Sequence, residues 1–207
     1  MANNHIGEDW PVLRVGIVGW GWMGQAHARA YARLRQHYPE AALRPALAAV
    51  ADNAGDDRLA SAIDTFGFGE AYTDWRDLIE RNDIKVVSVT GPNFIHREVA
   101  VAAAEAGKHL WVEKPAGRNA AETRAISDAV RANKVQSAVG FNYRNVPAVA
   151  MAKQLIADGR LGRINHVCIR LLADYAAHPE GALTWRFMSE WSGSGVLGDL
   201  ASHGVDL

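Results

Sequence analysis

The chain has 207 residues, 49% hydrophobic and 22% charged, with a formal net charge of −1: an ordinary globular composition, sized for one large domain or for one domain and part of another. This balance gives no electrostatic case for nucleic acid or an anionic membrane as partner. The single cysteine, Cys168, excludes an internal disulfide. With no signal-peptide pattern and no apolar run of membrane-span length, it points to a soluble cytoplasmic protein.

The apolar run 15–18 predicts a buried strand that leads straight into Gly19-x-Gly21-x-x-Gly24. Met23, Ala26, Ala30 and Leu34 follow at helical spacing, and Pro39 closes the region. Strand before and helix after separate a dinucleotide-binding turn from a chance glycine pattern. Gly19 makes the tight turn, Gly21 lets the backbone approach a pyrophosphate, and Gly24 lets helix and strand pack closely. The helix N-terminus offers free N–H groups and a positive dipole end to the phosphates, with Trp22 and Met23 in the same turn.

A second strand, 47–51, ends in Asp52, where a carboxylate can bond both ribose hydroxyls of NAD and repel the 2′-phosphate of NADP. Arg58 keeps NADP open, and a capping Asp52 is the alternative. A helix over 57–66 stops at Gly67, and Asp74 caps a short helix to 79. The strand 84–90 is interrupted by Gly91-Pro92. Thr90, Pro92 and Asn93 therefore sit on the strand edge where such sheets bind ligands. Asn93 is a candidate for orienting a nicotinamide or its ribose, or else an ordinary turn residue opening a helix. His96, one turn on, reads by itself as a surface helix histidine. Ile95, Val99, Ala102, Ala103 and Ala106 trace a helical face ending at Gly107.

The strand 109–112 runs into Glu113-Lys114-Pro115. A lysine held at the rim of a cofactor cleft and partly desolvated can donate a proton to an alcohol or carbonyl oxygen; a plain surface lysine is the alternative. Asn119 and Glu122 have capping-box spacing before a helix to about 133, and 135–141 reads as one more strand. Strand and helix alternate, and the strands are near-continuous apolar runs. This predicts an α/β, doubly wound Rossmann domain with a parallel sheet over 1–142.

The pattern then changes. Asn145 and Pro147 start a helix carrying Ala148, Met151 and Leu155, and Gly159 stops it. Over 164–172, Val167, Ile169 and Leu171 alternate with His166, Cys168 and Arg170, predicting the first strand of a mostly antiparallel sheet in an α+β domain over 143–207. Near the end, Asp199, His203 and Asp206 stand at i, i+4 and i+7, on one narrow helix face beside a stripe of Leu197, Leu200 and Leu207. Asp and His at that spacing can chelate zinc, but a third strong ligand is not evident, so no metal is expected. A capping Asp199 with a buried His203 is the structural alternative.

Taken together, the glycine turn, Thr90-Gly91-Pro92-Asn93 with His96, Glu113-Lys114-Pro115, Gly140-Phe141-Asn142-Tyr143-Arg144, Trp185-Arg186-Phe187 and the Gly-Asp-x-x-x-His-x-x-Asp ending resemble the Gfo/Idh/MocA family, in order and over the whole chain. Gly91 is a small departure, since many members carry another small residue there. The resemblance implies Lys114, Asp199 and His203 as catalytic residues. It adds Trp22, Met23, His96, Glu113 and Lys114 to the cofactor side formed by Gly19, Gly21, Gly24, Asp52, Thr90, Pro92 and Asn93. Tyr143, Arg144, Tyr175, Trp185 and Arg186 join Lys114, Asp199 and His203 as candidates for a sugar pocket.

The expected chemistry is hydride transfer between NAD (NADP possible) and a secondary alcohol of a sugar or polyol. His203 would act as base, since an ordinary imidazole pKa of about 6.5 suits that task. Asp199 would orient the hydroxyl or the imidazole, and Lys114 would stabilise the developing oxyanion. Reduction of a carbonyl with NADPH, glycoside processing through a keto intermediate, and a non-catalytic nicotinamide-binding protein are the alternatives. Family members continue past the Asp-x-x-x-His helix with further strands, and are expected to form homo-oligomers through that sheet. A chain ending at Leu207 is therefore expected to bind NAD but turn over little sugar, with the segment after Tyr143 mobile or self-associating.

Overall fold

The computed structural model describes residues 10–53, 56–174 and 178–207. Six strands, β1 (Val12–Val18), β2 (Arg44–Ala51), β3 (Glu70–Tyr72), β4 (Val86–Val89), β5 (His109–Val112) and β6 (Ser137–Val139), form one sheet in the order β3-β2-β1-β4-β5-β6. Every pairing is parallel, with Ile17 opposite Val50 on one side of β1 and opposite Ser88 on the other. The connections are α1 (Trp22–His37), α2 (Asp56–Phe66), α3 (Trp75–Glu80), α4 (Asn93–Glu105) and α5 (Ala120–Ala132).

Alternate side chains of a strand point to opposite faces, and the core divides accordingly. Ile17 packs with Trp20, Ala28, Val50, Leu59, Ala62 and Phe68, beneath α1 and α2. Its neighbour Val18 joins Leu78, Ile84, Val87, Val89, Val99 and Ile126, beneath α3, α4 and α5. Trp20 is fully enclosed, with the edges of Phe66 and Phe68 against it at ring separations of 4.8 and 5.2 Å. Both faces are thus covered, as the apolar strand runs require. The chain crosses over between β1 and β4, so the carboxyl ends of these strands form the switch point at which such sheets bind ligands.

Several strand bounds differ from those expected: β1 and β2 each begin three residues before the apolar runs 15–18 and 47–51, β4 is shorter than 84–90, and the run 135–141 yields only the three residues of β6. β3, a three-residue strand, is unexpected, having no periodicity to announce it. As expected, Asp74 caps α3 by accepting from the Arg76 N–H, and Asn119 caps α5 by accepting from the Glu122 N–H.

Beyond Asn142 the chain makes a 3₁₀ turn (Asn142–Asn145) and α6 (Pro147–Ala157), a second 3₁₀ turn (Trp185–Phe187), α7 (Ser189–Ser192), a π-helical turn (Leu197–Ala201) and α8 (Ser202–Asp206). The antiparallel sheet expected here is absent among the described residues, where the sheet is parallel throughout. Residues 164–172 alternate in sequence but make no ladder. Alternation supplies an apolar face, whereas a strand also needs a neighbour for its N–H and C=O groups, and no described segment lies alongside in register. The apolar side chains meet the terminal helix instead: a Cβ on Gly204 would lie 2.9 Å from Ile169 Cγ2. No described helix is long and apolar enough to cross a membrane.

Candidate active site

The site is built from what leaves the carboxyl ends of β1, β2, β4 and β5. After β1, Gly19 adopts φ = +99°, and a Cβ there would lie 2.4 Å from the Gly91 nitrogen. Two turns, one after β1 and one after β4, therefore touch backbone to backbone. Thr90 fastens them, its hydroxyl donating to the carbonyls of Gly19 (2.7 Å) and Val18 (3.1 Å). Gly24 lies so close under the same turn that a Cβ would be 2.1 Å from the Gly19 oxygen. Gly21 differs: a Cβ there would meet no protein atom within 4 Å. It is also the N-cap of α1, and no side chain caps the free N–H groups of that first turn. An open approach to uncapped donors at a positive helix end fits a dinucleotide pyrophosphate. Trp22 stands beside it, largely exposed.

Asp52 follows β2 and accepts a hydrogen bond from the Trp20 N–H, while Arg58 donates to the Trp20 carbonyl at 2.5 Å. The carboxylate, at the carboxyl end of β2, thus steadies the glycine turn through the Trp20 N–H.

Asn93 opens α4 and is buried, its side-chain amide donating to the Ser192 carbonyl at 2.9 Å. His96 is corrected from a surface histidine. It is 1% exposed, with Nδ1 2.9 Å from the Pro115 carbonyl and Nε2 2.9 Å from the Gly91 carbonyl. Burial pushes its pKa below the usual imidazole value, against the opposing pull of those carbonyls. A helix residue facing inward is not distinguishable from an outward one by a single polar letter; the acceptors it meets come from two separate loops.

After β5, Glu113 is buried and Lys114 follows at once. Lys114 Nζ donates to Asp199 Oδ1 at 2.7 Å and to the Asp199 carbonyl at 3.0 Å, with Arg186 Nε 3.9 Å from Asp199 Oδ2. Both side chains are four-fifths or more covered, so the pair sits in a less water-like medium than a surface ion pair. His203 is also buried, and its Nδ1 has no hydrogen-bond partner among the described residues. Desolvation lowers its pKa and the Lys114 charge lowers it further, against Asp199, Glu113 and Asp206.

The ideal i, i+4, i+7 face is modified. The Ser202 N–H reaches back five residues to the Leu197 carbonyl, which widens the turn between Asp199 and His203. Asp199 therefore turns to Lys114, and Asp206 is paired with Arg144, whose Nε donates to Oδ2 at 2.9 Å and holds the Asp206 carboxyl below its usual pKa. Tyr143 stacks on His203 with ring centroids 4.4 Å apart, and Phe141 offers its edge at 6.0 Å. Tyr143 and Arg144, expected in a sugar pocket, thus hold the helix that carries His203. Trp185 lies 4.4 Å below the Arg186 guanidinium. Tyr175 lies outside the described residues.

One residue escaped the sequence reading altogether. His27, on α1, places Nε2 2.9 Å from Glu113 Oε1. Its position one turn after Gly24 is visible in the sequence, but its partner is 86 residues away.

Comparison with known proteins accords with this geometry. Residues 13–141 match the model described as an oxidoreductase family with an NAD-binding Rossmann fold, and residues 149–207 match a GFO/IDH/MocA C-terminal domain. Levoglucosan dehydrogenase of Pseudarthrobacter phenanthrenivorans is 43% identical over 195 residues, 94% of this chain and 50% of that protein. Glucose-6-phosphate 3-dehydrogenase of Bacillus subtilis is 30% identical over 94% of this chain and 52% of its own length. A solved levoglucosan dehydrogenase in complex with NADH and levoglucosan superposes with a TM-score of 0.86 at 42% identity, covering 94% of this chain and 52% of that one. The chain spans about half the length of the relatives it matches. On the match to residues 13–141, supported by the glycine turn and the parallel sheet, the chain belongs to the Gfo/Idh/MocA family of oxidoreductases with an NAD-binding Rossmann fold.

Proposed function

We propose that this chain carries the nicotinamide-binding unit and the proton-handling groups of an NAD(P)-dependent dehydrogenase acting on a secondary alcohol of a sugar or polyol. The observation that carries the reading is the Lys114–Asp199 pair, at 2.7 Å, beside a buried imidazole with an Nδ1 unpartnered among the described residues, on the sheet edge that also carries the uncapped glycine turn. The named relatives act on levoglucosan and glucose 6-phosphate, which makes a hydroxyl-rich carbohydrate the substrate class.

NAD, when bound, supplies the hydride acceptor. Backbone N–H groups of the Gly19–Gly24 turn, including those of Trp22 and Met23, hold its pyrophosphate, and Asp52 holds the adenosine ribose. Thr90, Pro92, Asn93 and Glu113 form the wall on the nicotinamide side, with His96 behind it. His203 takes the hydroxyl proton on a ring nitrogen; burial and the Lys114 charge favour the neutral imidazole, whose one unprotonated nitrogen can accept it. Lys114 donates from Nζ to the substrate oxygen as negative charge builds, and Asp199 aims that ammonium. Trp185 and Arg186 face the sugar, with Tyr175 as a further candidate.

A second coenzyme reading rests on Arg58, a cation on α2 that bonds the same Trp20 backbone as Asp52 and would favour a 2′-phosphate. The same proposal divides the protein into a dinucleotide unit over 1–142 and a substrate unit over 143–207. It places the complete protein in the cytoplasm as a homo-oligomer joined through the second unit. Calorimetric titration and steady-state assays test it. Gly21→Val should abolish NAD binding with the fold intact, and Lys114→Ala and His203→Ala should each abolish sugar oxidation in a full-length homologous context. Near-normal turnover in the last two would overturn the roles given to them.

A further inference from the structure

We infer that His27 and His96 are a pair of positioning residues that hold Lys114 by gripping the residue on either side of it. The inference rests on the reading of Lys114 as the group that meets the substrate oxygen. Glu113 and Pro115 flank Lys114 directly, and each is held by a histidine from a different helix. His27, on α1, lies 2.9 Å from Glu113 Oε1. The other oxygen, Oε2, accepts the N–H of Lys114 itself at 3.3 Å. Gly140 lies against this carboxylate so closely that a Cβ would come within 2.5 Å of Oε1, which closes the third side. His96, on α4, reaches the Pro115 carbonyl with Nδ1.

Neither histidine is an ordinary surface contact. The His27 and Glu113 side chains are 11% and 10% exposed, and His27 is further fixed by an edge contact with Trp111 at 5.7 Å. His96 spans two loops: its second nitrogen lies against Gly91, whose backbone touches the glycine turn at Gly19. A neutral imidazole donates to one carbonyl at a time and an imidazolium to both; either form keeps the ring wedged between the loops.

The consequence is geometric. α1 and α4 begin at the two turns of the switch point, and each sends one histidine, His27 or His96, to the backbone around Lys114. The direction of the Lys114 ammonium is thus referred to the cofactor-binding turns themselves. Asp199 completes the hold from the far side, at the tip of the side chain. Preorganisation of this kind matters because misplacing a reacting group by about 1 Å can cost about 100-fold in rate.

The test needs no turnover. Competitive acetylation of the whole chain, read by mass spectrometry, reports the reactivity of each of the five lysines, with Lys134 and Lys153 as internal references. In the unaltered chain Lys114 should label slowly, being paired and largely covered. His27→Leu and His96→Leu should each raise Lys114 labelling roughly three- to tenfold relative to the references, the scale of losing one ordering hydrogen bond. His27→Gln, which restores a donor to Glu113, should return labelling most of the way, a rescue that general destabilisation would not give. Should His96→Leu fail to fold, the His27 pair of variants decides alone. Unchanged Lys114 labelling in His27→Leu, or equal rises at Lys134 and Lys153, overturns the clamp. That failure would leave the dehydrogenase reading standing, whereas intact sugar oxidation in Lys114→Ala would remove the reading and leave the clamp a purely structural device.

Discussion

Residues 12–141 and residues 142–207 treat their apolar side chains in opposite ways. Every buried hydrophobic side chain among the described residues lies between Val15 and Val135. After 142, Val167, Leu172, Leu183, Val196, Leu197 and Val205 are all largely exposed. That second region is tied to the first mainly by polar contacts: Asn93 to the Ser192 carbonyl, Arg118 to the Glu190 carbonyl at 2.7 Å, and Lys114 to Asp199. Ring contacts between Phe94 and Trp191, 5.4 Å apart, and between Phe141 and His203, 6.0 Å apart, add to these. The difference shows how each half of the site is positioned. Cofactor-side groups stand where the sheet topology leaves them, whereas Asp199 and His203 stand where individual bonds to the sheet's loops hold them.

The largest expected effect breaks the first region and spares the second. Leu78 is fully buried against β1 and should cost about 2–5 kcal/mol on Leu78→Ala, as a core truncation that leaves a cavity. Leu172, 90% exposed, should change stability by no more than about 0.5 kcal/mol on Leu172→Ala. Urea denaturation followed by circular dichroism measures both. Comparable losses would mean that the second region carries a core of its own and that the contrast is wrong.

Next in size is the bond between the regions. Asp199→Ala removes the partner of Lys114 and should lower the stability of the terminal helical segment by about 1–3 kcal/mol, the range for a charged hydrogen bond removed from one side. Hydrogen exchange should then speed up over 189–206 while β1, β2, β4 and β5 keep their protection. Exchange that quickens evenly through the sheet would show that Asp199 supports the whole fold rather than the docking of one segment.

The same contrast explains how much was legible beforehand. β1, the glycine turn, Asp52, the Thr90 turn and Glu113-Lys114-Pro115 were readable because each is an apolar run followed by turn residues within a few positions. The parallel sheet then brings those ends together without further instruction. β3 was not readable, since three residues, Glu70, Ala71 and Tyr72, carry no period. The strand expected over 164–172 has the right alternation and lacks a neighbour. His27 and His96 were missed or misjudged because their partners lie on other loops, and local pattern does not encode distant contacts. The widened turn at Leu197–Ala201 was likewise hidden, because its sequence suits an α-helix equally well.

A smaller effect sharpens the cofactor side. Asp52→Ala should weaken NAD binding by roughly 10-fold or more, as expected for a lost charged hydrogen bond, and NADP binding by less. Asp52→Asn keeps an acceptor for the Trp20 N–H and should restore the turn without restoring the preference for NAD. Calorimetry with each coenzyme separates the two roles. Equal weakening of both coenzymes in Asp52→Ala, reversed by Asp52→Asn, would make Asp52 a support of the turn alone.

The smallest expected effect concerns His203, and it is one of direction. Burial and the Lys114 charge both disfavour the imidazolium, so its pKa lies below the ordinary value of about 6.5. Lys114→Ala removes the cation and should move the His203 titration to higher pH. Asp206→Asn removes a carboxylate that favours the imidazolium and should move it to lower pH. The linkage has the corresponding sign: because the folded pKa is depressed, the unfolded chain binds the proton more readily. The stability contribution of His203 is therefore fully present above about pH 6.5 and is lost as pH falls toward the folded value. Ring-proton NMR titration reads the shifts directly, with the exposed His178 as an internal control. Opposite movements in the two variants would tie the imidazole electrostatically to both Lys114 and Asp206. A titration that ignores Lys114→Ala would mean that the lysine and the histidine do not share a site, and the second region would then lose its place in the chemistry.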